Sequence, residues 1–432
     1  MSDKIEVLEA LKHSNIFLTG GAGVGKSYIT NEVISEYRKR GKQVVSLGST
    51  GVSAVNIGGF TVHSFFVFGI AGDFDELAVG DKRAKKRLKD LKKVLKATDL
   101  IVIDEISMVS TSLLDMIAYR LNNYGYLGKV MFVGDFFQLP PVQKNTHSDV
   151  FGAKLYAFES MAWNRFELMV IELTQMKRTT DAEFTHILSK IRKGICDEEI
   201  IVYMTRLWNN DHSENPTHLY GRNLEVEQTN RAKINELDSE ETILFANIEM
   251  FGQVDEKKLT SWKNMLPISE QLTLKEGVPI LFTVNKWGKF VNGERGILHK
   301  IEEDYLVVEK EDEYVRVERH DFDLLDMQVK DDGTVESISL ATLSQFPLKL
   351  AYAVTIHKSQ GMSIDNLVCN VDNIFAPSQF YVAISRAINP IKLKLDFNKG
   401  DLTQYLSRVI SVDQRVVKYY EGLKNTQSVH LK

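Results

Sequence analysis

The sequence predicts an α/β protein of two or more domains, and three observations carry that reading. A short apolar run, Ile16-Phe17-Leu18-Thr19, leads into Gly20-Gly21-Ala22-Gly23-Val24-Gly25-Lys26-Ser27, and residues 28–34 continue at helical spacing. Two later apolar runs, Leu100-Ile101-Val102-Ile103 and Lys129-Val130-Met131-Phe132-Val133, read as buried strands that end in polar loops. The chain has 432 residues, more than a single core accommodates.

The first of these segments satisfies the pattern G-x-x-x-x-G-K-[ST] in the strand–loop–helix context that the pattern requires. Glycines let the backbone turn its N–H groups inward around phosphates, and the following helix adds the positive end of its dipole. A nucleoside triphosphate is therefore expected on Gly21, Ala22, Gly23, Val24, Gly25, Lys26, Ser27 and Tyr28. Lys26 would reach the terminal phosphates, and Ser27 would ligate magnesium.

The second apolar run ends in Asp104-Glu105. Asp104 would hold the magnesium shell, and Glu105 would polarise the attacking water for in-line displacement. The third ends in Gly134-Asp135-Phe136-Phe137-Gln138-Leu139-Pro140-Pro141. An amide at that strand end, Gln138, can sense the terminal phosphate. The prolines also fit a plain loop that terminates the strand.

Bulk properties set limits. The apolar fraction is 44% and the charged fraction 26%, ordinary for a globular protein, and no apolar run approaches a membrane span. No secretion signal is visible after Met1-Ser2-Asp3-Lys4, so a cytoplasmic protein with no membrane partner is expected. Cys196 and Cys369 lack metal-ligand spacing and read as free thiols. A net charge of -5 does not exclude nucleic acid, because local basic grooves occur on acidic proteins.

Further stretches carry a family resemblance. Thr50-Gly51-Val52-Ser53-Ala54, Gly59-Phe60-Thr61-Val62-His63-Ser64 and Asp104-Glu105-Ile106-Ser107-Met108-Val109 lie in the first half. Leu173-Thr174-Gln175-Met176-Lys177-Arg178, Val291-Asn292-Gly293-Glu294-Arg295-Gly296, Ala353-Val354-Thr355-Ile356-His357-Lys358-Ser359-Gln360-Gly361-Met362-Ser363 and Tyr381-Val382-Ala383-Ile384-Ser385-Arg386-Ala387 follow. In this order they resemble the petite integration frequency family of superfamily-one helicases, with RecD-like helicases as relatives.

The resemblance implies two tandem RecA-like P-loop motor domains, with a small insertion in the first and an SH3-like β-barrel insertion in the second. It implies ATP and Mg2+ as cofactors, and Arg178, Arg386 and Gly361 as contributors to the ATP site. Arginine delivered to a transferring phosphate contributes about a thousandfold or more in rate. Thr50, Gly51, Thr61, His63, Ser64, Thr355, His357 and Lys358 are implied to contact nucleic acid. The activity implied is 5′-to-3′ movement on single-stranded DNA with unwinding of duplex, forked and guanine-quadruplex DNA, in repair, replication or telomere maintenance, by a monomer. Two departures stand out: residues 1–15 hold no glutamine to read adenine, and Thr179 stands where the family commonly has glutamine.

From the placement of these motifs, the first motor domain is expected over 1–64 and 82–165, with a wedge-like insertion at 65–81 that carries Phe65, Phe66, Phe68 and Phe74. Those phenylalanines would either help part duplex strands or anchor a loop. The second motor domain is expected over 166–295 and 347–432. Strand-period alternation in residues 305–309 and 314–318 places a barrel at 296–346, with Asp331-Asp332-Gly333 as a turn. The basic run at 82–96 places Leu88, Leu91 and Leu95 on one helical face, so it reads as a docked amphipathic helix or as a contact for the DNA backbone. A mobile tail is expected from Glu421. Two other functional classes fit the same residues: an ATP-switched nucleic-acid-binding protein without unwinding, and an RNA-directed translocase.

Overall fold

The structure is a computed structural model that describes residues 3–69, 71–141, 154–211, 215–252, 254–286, 288–310, 313–329, 335–423 and 429–431. The chain divides into two compact units. Unit 1 comprises Met1–Gln175, Leu324–Leu340 and Gln414–Lys432; unit 2 comprises Met176–Asp323 and Ala341–Asp413.

Unit 1 is built on a seven-stranded parallel sheet. Its spatial order is Val429–Leu431, Leu168–Leu173, Asn15–Gly20, Lys129–Val133, Leu100–Asp104, Val44–Gly48 and Phe60–Thr61. Because side chains alternate along a strand, Ile16 and Leu18 face one side, where Val7 and Leu11 of the helix Asp3–His13 and Val33 and Ile34 of the helix Lys26–Lys39 bury them. The opposite side carries Phe17, packed edge-on to Trp163 at 5.3 Å and tilted against Phe136 at 5.4 Å. With both faces covered, the strands read as unbroken apolar runs, the feature that made them legible.

The boundary expected at residue 165 lies too early. Leu168–Leu173 pairs in parallel with Asn15–Gly20 over six registered positions, and Val429–Leu431 pairs with Leu168–Leu173 in turn. Residues 166–175 and the C-terminal segment therefore belong to unit 1. Glu421, expected in a mobile tail, lies in the helix Gln414–Leu423.

The insertion at 65–81 is anchored. Phe65, Phe66 and Phe68 are buried, with Phe66 and Phe68 stacked at 5.5 Å. The fully buried Arg120 holds Asp81 through both carboxylate oxygens and donates through Nε to the Phe66 carbonyl. Of the four phenylalanines, Phe74 is 45% exposed. The basic run breaks at Ala84 into the helices Phe74–Arg83 and Lys85–Ala97, the second of which buries Leu91, Val94 and Leu95 while Leu88 is half-buried. This is the docked amphipathic arrangement.

Unit 2 holds a parallel sheet in the order Ala353–Thr355, Thr217–Tyr220, Leu367–Asn370, Leu393–Asp396. The helix Asn223–Asn235 follows Thr217–Tyr220, and Gln379–Ile384 follows Leu367–Asn370. Antiparallel structure extends further than the 296–346 expected. The sheet Glu313–Glu318, Tyr305–Lys310, Arg295–Ile301, Pro279–Phe282, Leu348–Leu350 recruits strands from both sides of that range, and Glu241–Phe245 with Gln271–Lys275 forms a two-stranded ribbon. Pro279–Phe282 is buried at every position and so lacks the alternation that marks its neighbours. The turn expected at Asp331-Asp332-Gly333 lies outside the described residues. Among the described residues no helix is long and apolar enough to cross a membrane.

Candidate nucleotide and nucleic-acid sites

The glycine loop of unit 1 takes the geometry that its sequence requires. Gly25 has φ 92° and precedes the helix Lys26–Lys39, and Gly23 has φ 81°, both left-handed conformations. At Gly20 a Cβ would stand 2.3 Å from the Leu173 carbonyl oxygen, so only glycine lets the loop pass the neighbouring strand. Lys26 Nζ donates to the carbonyls of Gly20 at 2.8 Å and Gly21 at 2.9 Å, which holds the ammonium across the loop. Ala22 and Val24 are buried, whereas Tyr28 is exposed beside the loop on the first helical turn.

Asp104 and Glu105 end a central strand of the same sheet. Asp104 is buried and accepts the Glu105 backbone N–H at 2.9 Å. Burial, followed by the neighbouring Glu105 charge, pushes its carboxyl up to about 7, against the pull of that N–H and of Lys26. Glu105 sits at φ 54°, ψ 48°, a left-handed conformation that costs a non-glycine residue about 1–3 kcal/mol and re-aims its side chain away from the strand. A buried acid held off its ionised form beside a second acid suits a divalent cation, which favours both ionised forms. Ser27, on the first turn of the cradle helix, supplies a neutral oxygen of the kind magnesium accepts.

The loop after Lys129–Val133 brings Gln138 to the same end of the sheet. Gln138 is buried and its Nε2 donates to Asp135 Oδ2 at 3.4 Å. Sequence reasoning missed Asp135, fully buried here, because an acid in a proline-ended loop carries no distinguishing spacing.

Unit 2 gathers the two arginines. Arg178 donates from Nε to Ser363 Oγ at 2.8 Å and from NH1 to the Ser385 carbonyl at 2.6 Å. Arg386 is only 1% exposed, and its guanidinium donates to the carbonyls of Val382 and Ser359 and to Ser385 Oγ. Burial and then the neighbouring Arg386 charge push the Arg178 guanidinium down to about 9. Gly361, at φ 81°, lies two residues before Ser363. Gly293 makes the approach possible from the other side, since a Cβ there would meet Met362 Cβ at 2.6 Å.

The residues expected to contact nucleic acid fall into two groups. In unit 1, Thr50 caps the helix Gly51–Asn56 through the Ser53 N–H, Thr61 accepts the Ser64 N–H, Ser64 Oγ returns a bond to the Thr61 carbonyl, and His63 packs edge-on to Phe68 at 6.3 Å. These contacts set the local turns, so the geometry assigns these hydroxyls caps first. In unit 2, Thr355, His357 and Lys358 line an open groove of about 560 Å³ together with Gly221, Arg222, Asn223 and Phe375. Burial lowers the His357 imidazole, which favours its neutral form. Phe375 is 64% exposed and lies nearly parallel to His357, with ring centroids 6.1 Å apart. Sequence reasoning missed Arg222, Asn223 and Phe375, which reach the groove from the ends of two separate strands and share no sequence spacing.

A phosphate cradle backed by an acid pair and an amide loop on one parallel sheet, with a guanidinium cluster and a basic groove on a second, defines a P-loop nucleoside triphosphatase of the helicase class. The PIF1-like helicase family matches residues 2–200, and a helicase family matches residues 292–427. ATP-dependent DNA helicase Pif1 of Campylobacter jejuni is 41% identical over 98% of this chain and 97% of its own. Pif1 from Bacteroides sp in complex with ADP-AlF4 superposes with a TM-score of 0.83 at 26% identity, covering 99% of this chain and 97% of that one. Bacteroides Pif1 bound to single-stranded DNA gives a TM-score of 0.65 at 26% identity, covering 98% and 97%. This chain belongs to the PIF1-like helicase family, and it is an enzyme of that kind.

Proposed function

We propose that this helicase couples ATP hydrolysis to 5′-to-3′ movement along single-stranded DNA and so opens duplex, forked and guanine-quadruplex DNA, as a cytoplasmic monomer serving repair, replication or telomere and genome maintenance. The observation that carries the reading is the buried Asp104 beside Glu105, whose backbone is left-handed, at the end of a strand in the sheet that also holds the Lys26 cradle. In this reading the glycine-loop N–H groups and Lys26 hold the triphosphate, Glu105 orients the attacking water, and Gln138 registers the terminal phosphate. Ser27 and Asp104 would hold Mg2+, which when bound neutralises the phosphate oxygens. Arg178 and Arg386 supply positive charge to the transferring phosphate. The relatives' names support ATP and DNA as the ligands, a Bacteroides relative bound to single-stranded DNA supports a single strand as the track, and the exposed Phe375 beside Lys358 and Arg222 favours the groove of unit 2 as part of it. There Lys358 and Arg222 serve phosphates, while Phe375 offers a ring to a base.

The test is strand displacement from duplexes that carry a single-stranded tail on one end or the other. Opening of the 5′-tailed substrate with ATP is expected; opening only from the 3′ tail would reverse the polarity.

A further inference from the structure

The aromatic side of the first sheet ends in a hydroxyl that ring packing does not require. Tyr420, in the helix Gln414–Leu423, stacks on Phe137 with centroids 4.6 Å apart and planes 19° from parallel, a contact that phenylalanine would make equally well. Its hydroxyl lies 2.8 Å from Thr19 Oγ1, accepts the Phe136 backbone N–H at 3.2 Å, and stands 3.4 Å from Asp135 Oδ1. Each of these partners leads to the nucleotide site. Thr19 immediately precedes Gly20, whose carbonyl holds Lys26 Nζ. Asp135 accepts the Phe137 N–H at 3.2 Å and, through its other oxygen, the Gln138 amide at 3.4 Å. One oxygen thus joins the strand entering the cradle to the loop that carries Gln138.

We propose that Tyr420 is a positioning residue for ATP hydrolysis: its hydroxyl pins the Asp135–Gln138 loop against Thr19 and so sets where the Gln138 amide stands relative to the phosphates on the cradle. The inference rests on the reading of Gln138 as the group that registers the terminal phosphate. Thr19 and Asp135 are both buried, and hydrogen bonds in such surroundings are stronger and more directional than in water. A catalytic amide displaced by a fraction of an ångström loses rate rather than binding. Tyr420 acts from the helix that begins at Gln414, immediately after residue 413 closes unit 2 in the sequence. The device therefore lies far along the chain from the cradle, Asp104-Glu105 and Gln138.

Tyr420→Phe keeps the ring and removes the oxygen. DNA-stimulated kcat for ATP is expected to fall about tenfold, the loss of roughly one hydrogen bond, with KM for ATP changed less than about twofold and the thermal midpoint within about 2 °C of the parent. Thr19→Val, which removes the same contact from the other side, is expected to do likewise. In a Gln138→Ala background, Tyr420→Phe is expected to cost nothing further, because the two act as a unit. Parental turnover in both single variants beside a slow Gln138→Ala would overturn the inference and leave the Gln138 reading standing. Additive losses in the double variant, or a fall in the midpoint that accounts for the lost rate, would also overturn it. Parental turnover in Gln138→Ala would overturn that reading and this inference together.

Discussion

The two units hold strained buried groups of opposite kind. In unit 1 the group under strain is an acid, Asp104, driven toward its neutral form by burial and by Glu105. In unit 2 the strained groups are bases: Arg178 is pushed down by burial and Arg386, and Lys349 is pushed down to about 7 by burial and Lys358. Elsewhere in unit 1 a buried charge is met directly by its opposite, where Arg120 holds both carboxylate oxygens of Asp81. In the proposed function each site carries an electrostatic deficit that its ligand would relieve, a divalent cation with its nucleotide in one case and phosphate oxygens in the other. Such strain lowers stability and is retained where it serves chemistry.

The largest effects test the acid side. Lys26→Ala is expected to abolish ATP hydrolysis, and Glu105→Gln to leave ATP bound while turnover falls about a thousandfold, measured by phosphate release beside nucleotide binding. Turnover in Glu105→Gln comparable with the parent would remove Glu105 from the water-polarising role. Smaller effects test the groove of unit 2. Phe375→Ala is expected to weaken single-stranded DNA binding about tenfold at every salt concentration, because the lost interaction is stacking. Lys358→Ala is expected to weaken it in a salt-dependent way, reducing the slope of log K against log salt by about 1. Identical salt behaviour of the two variants would break the division of the groove into a base platform and a phosphate contact.

The smallest effect concerns stability. A carboxyl raised from about 4 unfolded to about 7 folded makes the folded state bind the extra proton, so its contribution to stability declines as pH rises through that window and the full penalty is present above 7. Asp104→Asn is therefore expected to raise the thermal midpoint by about 4 °C at pH 8, without divalent cations, and by less at pH 5.5. An equal change at both values would show that burial of charge is not what strains Asp104.

What the sequence reveals follows from how local the physics is. The cradle, Asp104-Glu105 and the Gln138 loop are legible because each is a contiguous strand end, and a parallel sheet covered on both faces writes its strands as apolar runs. The assignment of Leu168–Leu173 to the first sheet is not legible, since its register with Asn15–Gly20 joins segments about 150 residues apart. Pro279–Phe282 was lost for want of alternation, and Phe375, Arg222 and Tyr420 because a groove or a tether assembled from distant loops leaves no spacing to read. Thr50 and Thr61 show the reverse: their motif is legible, but the local geometry gives their hydroxyls helix caps.

Under the proposed function, ATP is turned over only when Arg178 and Arg386 serve the phosphate being transferred. The most direct measurement is steady-state ATP hydrolysis by Arg178→Ala with saturating single-stranded DNA, alongside separate titrations of ATP and DNA. Both affinities are expected to stay within about threefold of the parent while kcat falls about a thousandfold; a kcat near the parent's would remove Arg178 from the transfer step.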